Sequence, residues 1–168
     1  MDATTRLLLP FTEEIDPLAL DYAVQIAKQH QATLVLLALI PVRSQRNVRM
    51  ELIQQAQDFL VLTNRKASRQ GVPIEMTQLY TRDAVRSIEA FASEMHCEAV
   101  LLFLYNTCEV LLGYAESSAL VDHGVCNVHV IILPQKRARM AVNLSPGRAI
   151  VQIPGRLLTF PARPARAL

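Results

Sequence analysis

Glycine, cysteine and long apolar runs are all scarce in this chain, and each scarcity excludes something. Only five glycines occur among 168 residues. None follows the first apolar segment, so there is no Walker loop or Gly-x-Gly-x-x-Gly at the place where such loops cradle phosphates. The Ser-Gly-Gly-x-Asp-Ser loop of ATP pyrophosphatases and the His-x-Gly-His of nucleotidyl transferases are also missing, and no enzyme is expected. Cysteine is limited to Cys97, Cys108 and Cys126. An odd count without a CxxC pair argues against a disulfide framework and for a reducing compartment. The longest apolar stretch, Leu34 to Val42, is nine residues, about half of what a membrane-spanning helix needs. The opening Met-Asp-Ala-Thr-Thr-Arg leads straight into an apolar segment with no signal-peptide pattern, so the expected compartment is the cytoplasm.

Five short apolar segments are present, at Arg6–Thr12, Thr33–Ile40, Ile74–Tyr80, Ala99–Leu104 and Val128–Leu133. Four are nearly continuous, as strands covered on both faces must be; the third alternates more and is expected at an edge. Amphipathic stretches separate them. The first is capped by Asp16 with Pro17 in its first turn. The second runs from about Asn47 to Gln70 and is stopped by Gly71-Val-Pro73; the third starts near Asp83; the fourth spans about Ala115 to His123, with Gly124 as its stop. This alternation predicts an α/β fold over residues 1–134: a doubly wound, Rossmann-like, five-stranded parallel sheet with helices on both faces.

Residues 135–168 differ in kind. They carry seven Lys or Arg and no acid, whereas residues 1–134 carry ten Lys or Arg against fifteen Asp or Glu, a balance of −5. Five of the nine prolines lie at 134, 146, 154, 161 and 164. Two short apolar pieces, Ala149–Ile153 and Leu157–Phe160, flank Pro154-Gly155, which suits a type II turn. A short β-hairpin is expected there, lying on its own domain or on a second subunit, since two strands alone are unstable.

Leu8-Leu-Pro-Phe-Thr12 followed by Asp16-Pro-Leu-Ala-Leu-Asp-Tyr-Ala23 resembles the opening of the universal stress protein (UspA) family. Ala32–Leu37 with Val42 resembles its second strand, Arg82-Asp83-Ala-Val-Arg-Ser-Ile88 its third helix, and Cys97–Leu102 its fourth strand. His123-Gly-Val-Cys126-Asn-Val128-His-Val130 is similar to its His-x-Pro-Cys-Pro-Val-x-Val. The resemblance covers roughly residues 6–134. Many members bind ATP through Gly-x2-Gly-x9-Gly-Ser/Thr between the fourth strand and fourth helix, where glycine lets backbone N–H groups approach phosphate. Here Leu101 and Leu104 stand about where the first glycines belong, only Gly113 remains near the last, and Glu109 and Glu116 would add negative charge facing phosphate. The aspartate expected after the first strand is Thr12. Of the family's nucleotide contacts, the resemblance leaves Thr12, Val42 and Gly113 as the positions to examine, and it implies a member without ATP or any other cofactor.

His123-x2-Cys126-x2-His129 looks like metal ligands, but positions 126 and 129 of a strand face opposite ways, so no metal is expected. Ser117-Ser118 reads as solvated helix serines and Asp83 as a helix cap. The expected function is a regulatory or interaction protein that forms a homodimer, as members of the family commonly do through their last strand. Here Val128, Val130, Ile131, Ile132 and Leu133 would form the interface. The alternatives are an ATP- or AMP-binding stress protein with a divergent loop, and an adaptor whose basic tail touches nucleic acid or anionic membrane. The tail's charges are scattered and only Phe160 could stack, so specific nucleic-acid binding is not expected.

Overall fold

The computed structural model describes residues 4–43, 49–106, 108–134, 156–160 and 162. In chain order the elements are β1 (Arg6–Phe11), α1 (Pro17–Gln29), β2 (Thr33–Pro41), α2 (Met50–Gln70), β3 (Ile74–Thr81), α3 (Ala84–Glu94), β4 (Ala99–Tyr105), β5 (Cys108–Val110), α4 (Tyr114–His123), β6 (Val128–Leu133) and β7 (Arg156–Phe160). The sheet runs β3-β2-β1-β4-β6-β7, with β5 paired to β4. Neighbours from β3 through β6 are parallel, which is the expected five-stranded core. Two antiparallel strands are additions to it. β5 folds back on β4, and β7 pairs with β6 from Val128↔Phe160 to Ile132↔Arg156.

The local signals behave as their chemistry dictates. Asp16 accepts the Ala19 N–H and Asp83 the Arg86 N–H, each at 3.0 Å, so both carboxylates cap their helices. Gly71 and Gly124 end α2 and α4 in the left-handed region, at φ +69° and +60°. β2 is buried from Thr33 through Ile40, whereas β3, at the sheet's edge, is half-exposed. Helices α1 and α2 cover one face, where Phe11 stacks on Phe59 with ring centroids 4.4 Å apart. Helices α3 and α4 cover the other, packing Ile88, Ala92 and Leu120 over Leu8, Val100 and Val130.

The expected C-terminal hairpin lies in part outside the described residues. Leu157–Phe160 lies within β7 and pairs with β6, while Ala149–Ile153 lies outside the described residues. The backbone ladder of Val128–Leu133, the strand expected at a homodimer interface, is occupied here by the chain's own β7. The side chains of Val128, Val130, Ile131 and Leu133 are buried in the two core layers, with Ile132 half-buried. Among the described residues no helix is long and apolar enough to cross a membrane.

Candidate functional site

In open parallel sheets the ligand crevice lies beyond the carboxyl ends of the strands, where strand order reverses. Here that point is between β1 and β4, the strands from which the chain winds outward in both directions. The segment entering it after β4 is a tight hairpin. Phe103 opposes Val110, Leu104 opposes Glu109 and Tyr105 opposes Cys108, with Asn106 turning at φ +35°. Glu109 therefore stands on β5 and lines a separate, largely apolar cavity of about 250 Å³ under α4. The expectation that it faces a phosphate position is corrected.

Two leucines follow the hairpin and close the crevice. Leu111 is 1% exposed in the α1/α2 layer, and Leu112 is 2% exposed in the α3/α4 layer. Leu111 has φ +71°, a left-handed conformation that is costly for a residue with a Cβ. Its carbonyl accepts the N–H of Thr12 at 2.8 Å and of Glu13 at 3.2 Å. The backbone donors at the end of β1 are thus consumed by the loop that covers them.

Gly113 is the N-cap of α4, with φ −68° and no side-chain cap. A Cβ built on it would lie 2.5 Å from Glu13 Oε1 and 2.6 Å from Glu116 Oε2. Both atoms end flexible side chains and the φ is open to any residue, so glycine is not needed for conformational freedom here. The position shows instead that two carboxylates crowd the positive end of α4. Each contributes about 0.3–1 kcal/mol to the helix and repels any anion that approaches it.

A cavity of about 220 Å³ opens beside them, lined by Thr12, Glu13 and Glu116 together with Arg43 and Arg82 from the ends of β2 and β3. The Thr12 hydroxyl is buried and has no hydrogen-bond partner. Val42 donates its N–H to the Thr81 carbonyl at 2.8 Å, and the cavity wall is made by its neighbours Pro41 and Arg43. The structure therefore brings Thr12 and Gly113 to one place, with Val42 at its margin. Glu13 is the residue that sequence reasoning missed, and its adjacency to Thr12 was the available signal. A triphosphate does not fit this set. The N–H groups of Thr12 and Glu13 are taken by Leu111, of the family's glycines only Gly113 is present, and Glu13 and Glu116 put two carboxylates at the start of α4.

Titratable groups elsewhere serve the fold. The Tyr105 hydroxyl donates to both Asp16 oxygens at 3.0 Å, tying β4 to the start of α1, and burial together with this bond pushes the phenol well above its usual range. Burial pushes the thiols of Cys97 and Cys126 up to about 11, so neither is a thiolate at neutral pH. His123 Nδ1 lies 2.8 Å from Glu89 Oε1 and joins α4 to α3. Ser117 is buried rather than solvated, and Ser118 is half-buried. Among the described residues no three His, Cys, Asp or Glu side chains converge as metal ligands.

His129 on β6 is half-buried, with Nδ1 enclosed and lacking a partner. Burial lowers its pKa below the ordinary 6.5, His30 adding to the effect and Glu98 opposing it. The native ring stays neutral where the unfolded chain takes up a proton, so this contribution is present above the unfolded pKa and lost as pH falls. Urea midpoints should therefore decline between about pH 7 and 5, and His129→Gln should flatten part of that slope.

Comparison with known proteins gives a consistent answer. Residues 4–103 match the model of the universal stress protein family. The solved universal stress protein family structure from Burkholderia pseudomallei shares 16% identity, with a TM-score of 0.61 over 79% of this chain and 99% of that one. A universal stress protein from Archaeoglobus fulgidus shares 16%, with a TM-score of 0.57 over 70% and 85% of the two chains. The Archaeoglobus protein in complex with dAMP shares 15%, at 0.54 over 72% and 91%. Comparison with curated protein sequences returns no match. With the family model spanning more than half of the 168 residues on a sheet of this strand order, the chain belongs to the universal stress protein family.

Proposed function

We propose that this universal stress protein is a regulatory or interaction protein that works without ATP. One observation carries the reading: the Leu111 carbonyl holds the N–H groups of Thr12 and Glu13, while the Glu13 and Glu116 carboxylates flank the N-terminus of α4. A helix end that attracts phosphate in other proteins is already faced by anions here. With no phosphate to sense, its output would come through protein contacts in the cytoplasm, with a second copy of the chain and an unidentified protein as partners. Two β6 edges can meet only if β7 leaves, because β7 holds that ladder.

Calorimetric titration with ATP, AMP and dAMP tests the proposal. No saturable binding should be seen, meaning dissociation constants weaker than about 1 mM. A low-micromolar constant for any of the three would overturn it. It would favour the nucleotide-binding alternative, which has in its support the dAMP complex of the Archaeoglobus protein and the cavity beside Pro41 and Thr81.

A further inference from the structure

The crevice beyond β1 carries charge of both signs, sorted by side. Arg43 follows β2 and Arg82 follows β3, so both guanidinium groups enter the 220 Å³ cavity from the side of the sheet where those strands lie. Glu13, past the end of β1, and Glu116, in the first turn of α4, enter it from the other. The two carboxylates sit side by side, since they come within 2.5 and 2.6 Å of the same point, the place of a Cβ on Gly113. Among the described residues none of these four charged groups takes part in an ion pair. Asp83, next to Arg82 in the chain, is committed to capping α3 through the Arg86 N–H. Opposite charges within reach of one another would pair; here the cavity stands between them.

We propose that this cavity binds a small zwitterion of the amino acid class, its ammonium group held by Glu13 and Glu116 and its carboxylate by Arg43 and Arg82. Such an occupant rests on the ATP-free reading of the crevice and gives it a ligand of its own. The charges decide against simpler molecules. An anion alone meets two carboxylates at the start of α4, and a cation alone meets two guanidinium groups. A molecule carrying both signs is attracted from both sides.

Hydrogen-bonding chemistry and size agree with this class. A guanidinium fork matches a carboxylate with two parallel N–H donors, and an ammonium group brings three donors of its own. Two of these suit Glu13 and Glu116. The third suits the Thr12 hydroxyl, which lines the same cavity and is buried with no hydrogen-bond partner. A buried hydroxyl left unsatisfied is costly, and an occupant supplies what it lacks. Pockets for drug-sized ligands run to about 300–1,000 Å³. A cavity of about 220 Å³ falls below that range and favours a molecule smaller than a nucleotide.

Calorimetric titration of the full-length protein tests the proposal. The probes are free alanine and 4-aminobutanoate, which differ in the spacing of their two charges, with butanoate and butylamine as the single-charge halves. At least one zwitterion should bind saturably with a Kd below about 1 mM, and each half should bind at least tenfold more weakly. Arg82→Gln and Glu116→Gln, which remove one charge from either side, should each weaken the zwitterion at least tenfold. Silence from both zwitterions would overturn the proposal. So would a half that binds as tightly as the whole, or an affinity that either substitution leaves unchanged. ATP in the same titrations separates the two readings of the crevice. If neither ATP nor a zwitterion binds, only the zwitterion site falls, whereas low-micromolar ATP binding overturns the ATP-free reading whatever the zwitterions do.

Discussion

Leu111→Ala should lower the unfolding free energy by about 2–5 kcal/mol, and Leu111→Gly should be the less damaging of the two. The first expectation follows from burial: Leu111 is 1% exposed and packs into the α1/α2 layer beneath the crevice. Removing its side chain leaves a cavity at the point where the β4–β5 hairpin hands over to α4. The second follows from φ +71°. Glycine normally weakens a structure relative to alanine through the freedom it gives the unfolded chain. In the left-handed region the order reverses, because a Cβ there costs about 1–2 kcal/mol. Urea unfolding of the two variants reads both effects, provided the m-values agree with wild type. An alanine variant more stable than the glycine variant would mean that the backbone at 111 does not hold this conformation.

That loop separates what the sequence made legible from what it did not. Asp16, Asp83, Gly71 and Gly124 act within a turn of themselves, and each does what its type predicts. The core strands are legible for a related reason: Thr33–Ile40 is buried on both faces, so every residue carries the signal. The loss of the phosphate loop was visible as an absence of glycine. What replaced it was not visible. Cys108–Val110 is too short to show a period, and a leucine in the left-handed region contradicts local preference, being held by contacts from β1 that no local pattern encodes. Glu13 and Glu116 are far apart in sequence and meet only because β1 and α4 converge at the switch point. Glu109, which looked equally suited to face a phosphate, is carried away by the hairpin. Leu157–Phe160 was legible as a short strand needing a surface to lie on, but its pairing with β6 was not, because long-range pairing leaves no mark in short windows.

Grafting the family's glycine-rich loop between Leu104 and Ala115 should leave ATP binding weak, and adding Glu13→Gln with Glu116→Gln should then strengthen it tenfold or more. The graft removes Leu111 and so frees the N–H groups of Thr12 and Glu13. It also supplies the glycines that let backbone donors approach phosphate. It leaves in place Glu13, at the end of β1, and Glu116, in the first turn of α4, because both lie outside the replaced segment. A carboxylate about 4 Å from a phosphate charge costs about 1 kcal/mol in water and about 4 kcal/mol at an effective dielectric of 20. Two such carboxylates therefore oppose binding by about 2 kcal/mol or more, which is roughly thirtyfold. Glutamine keeps the size and removes the charge, so the gain should come from electrostatics and shrink as salt is raised. Calorimetry on the graft and on the graft with both substitutions, at low and high salt, separates the causes. Low-micromolar binding by the graft alone would show that missing glycines, and not the carboxylates, close this site. Equal, salt-independent affinities in the two proteins would show that Glu13 and Glu116 do not face the phosphates at all.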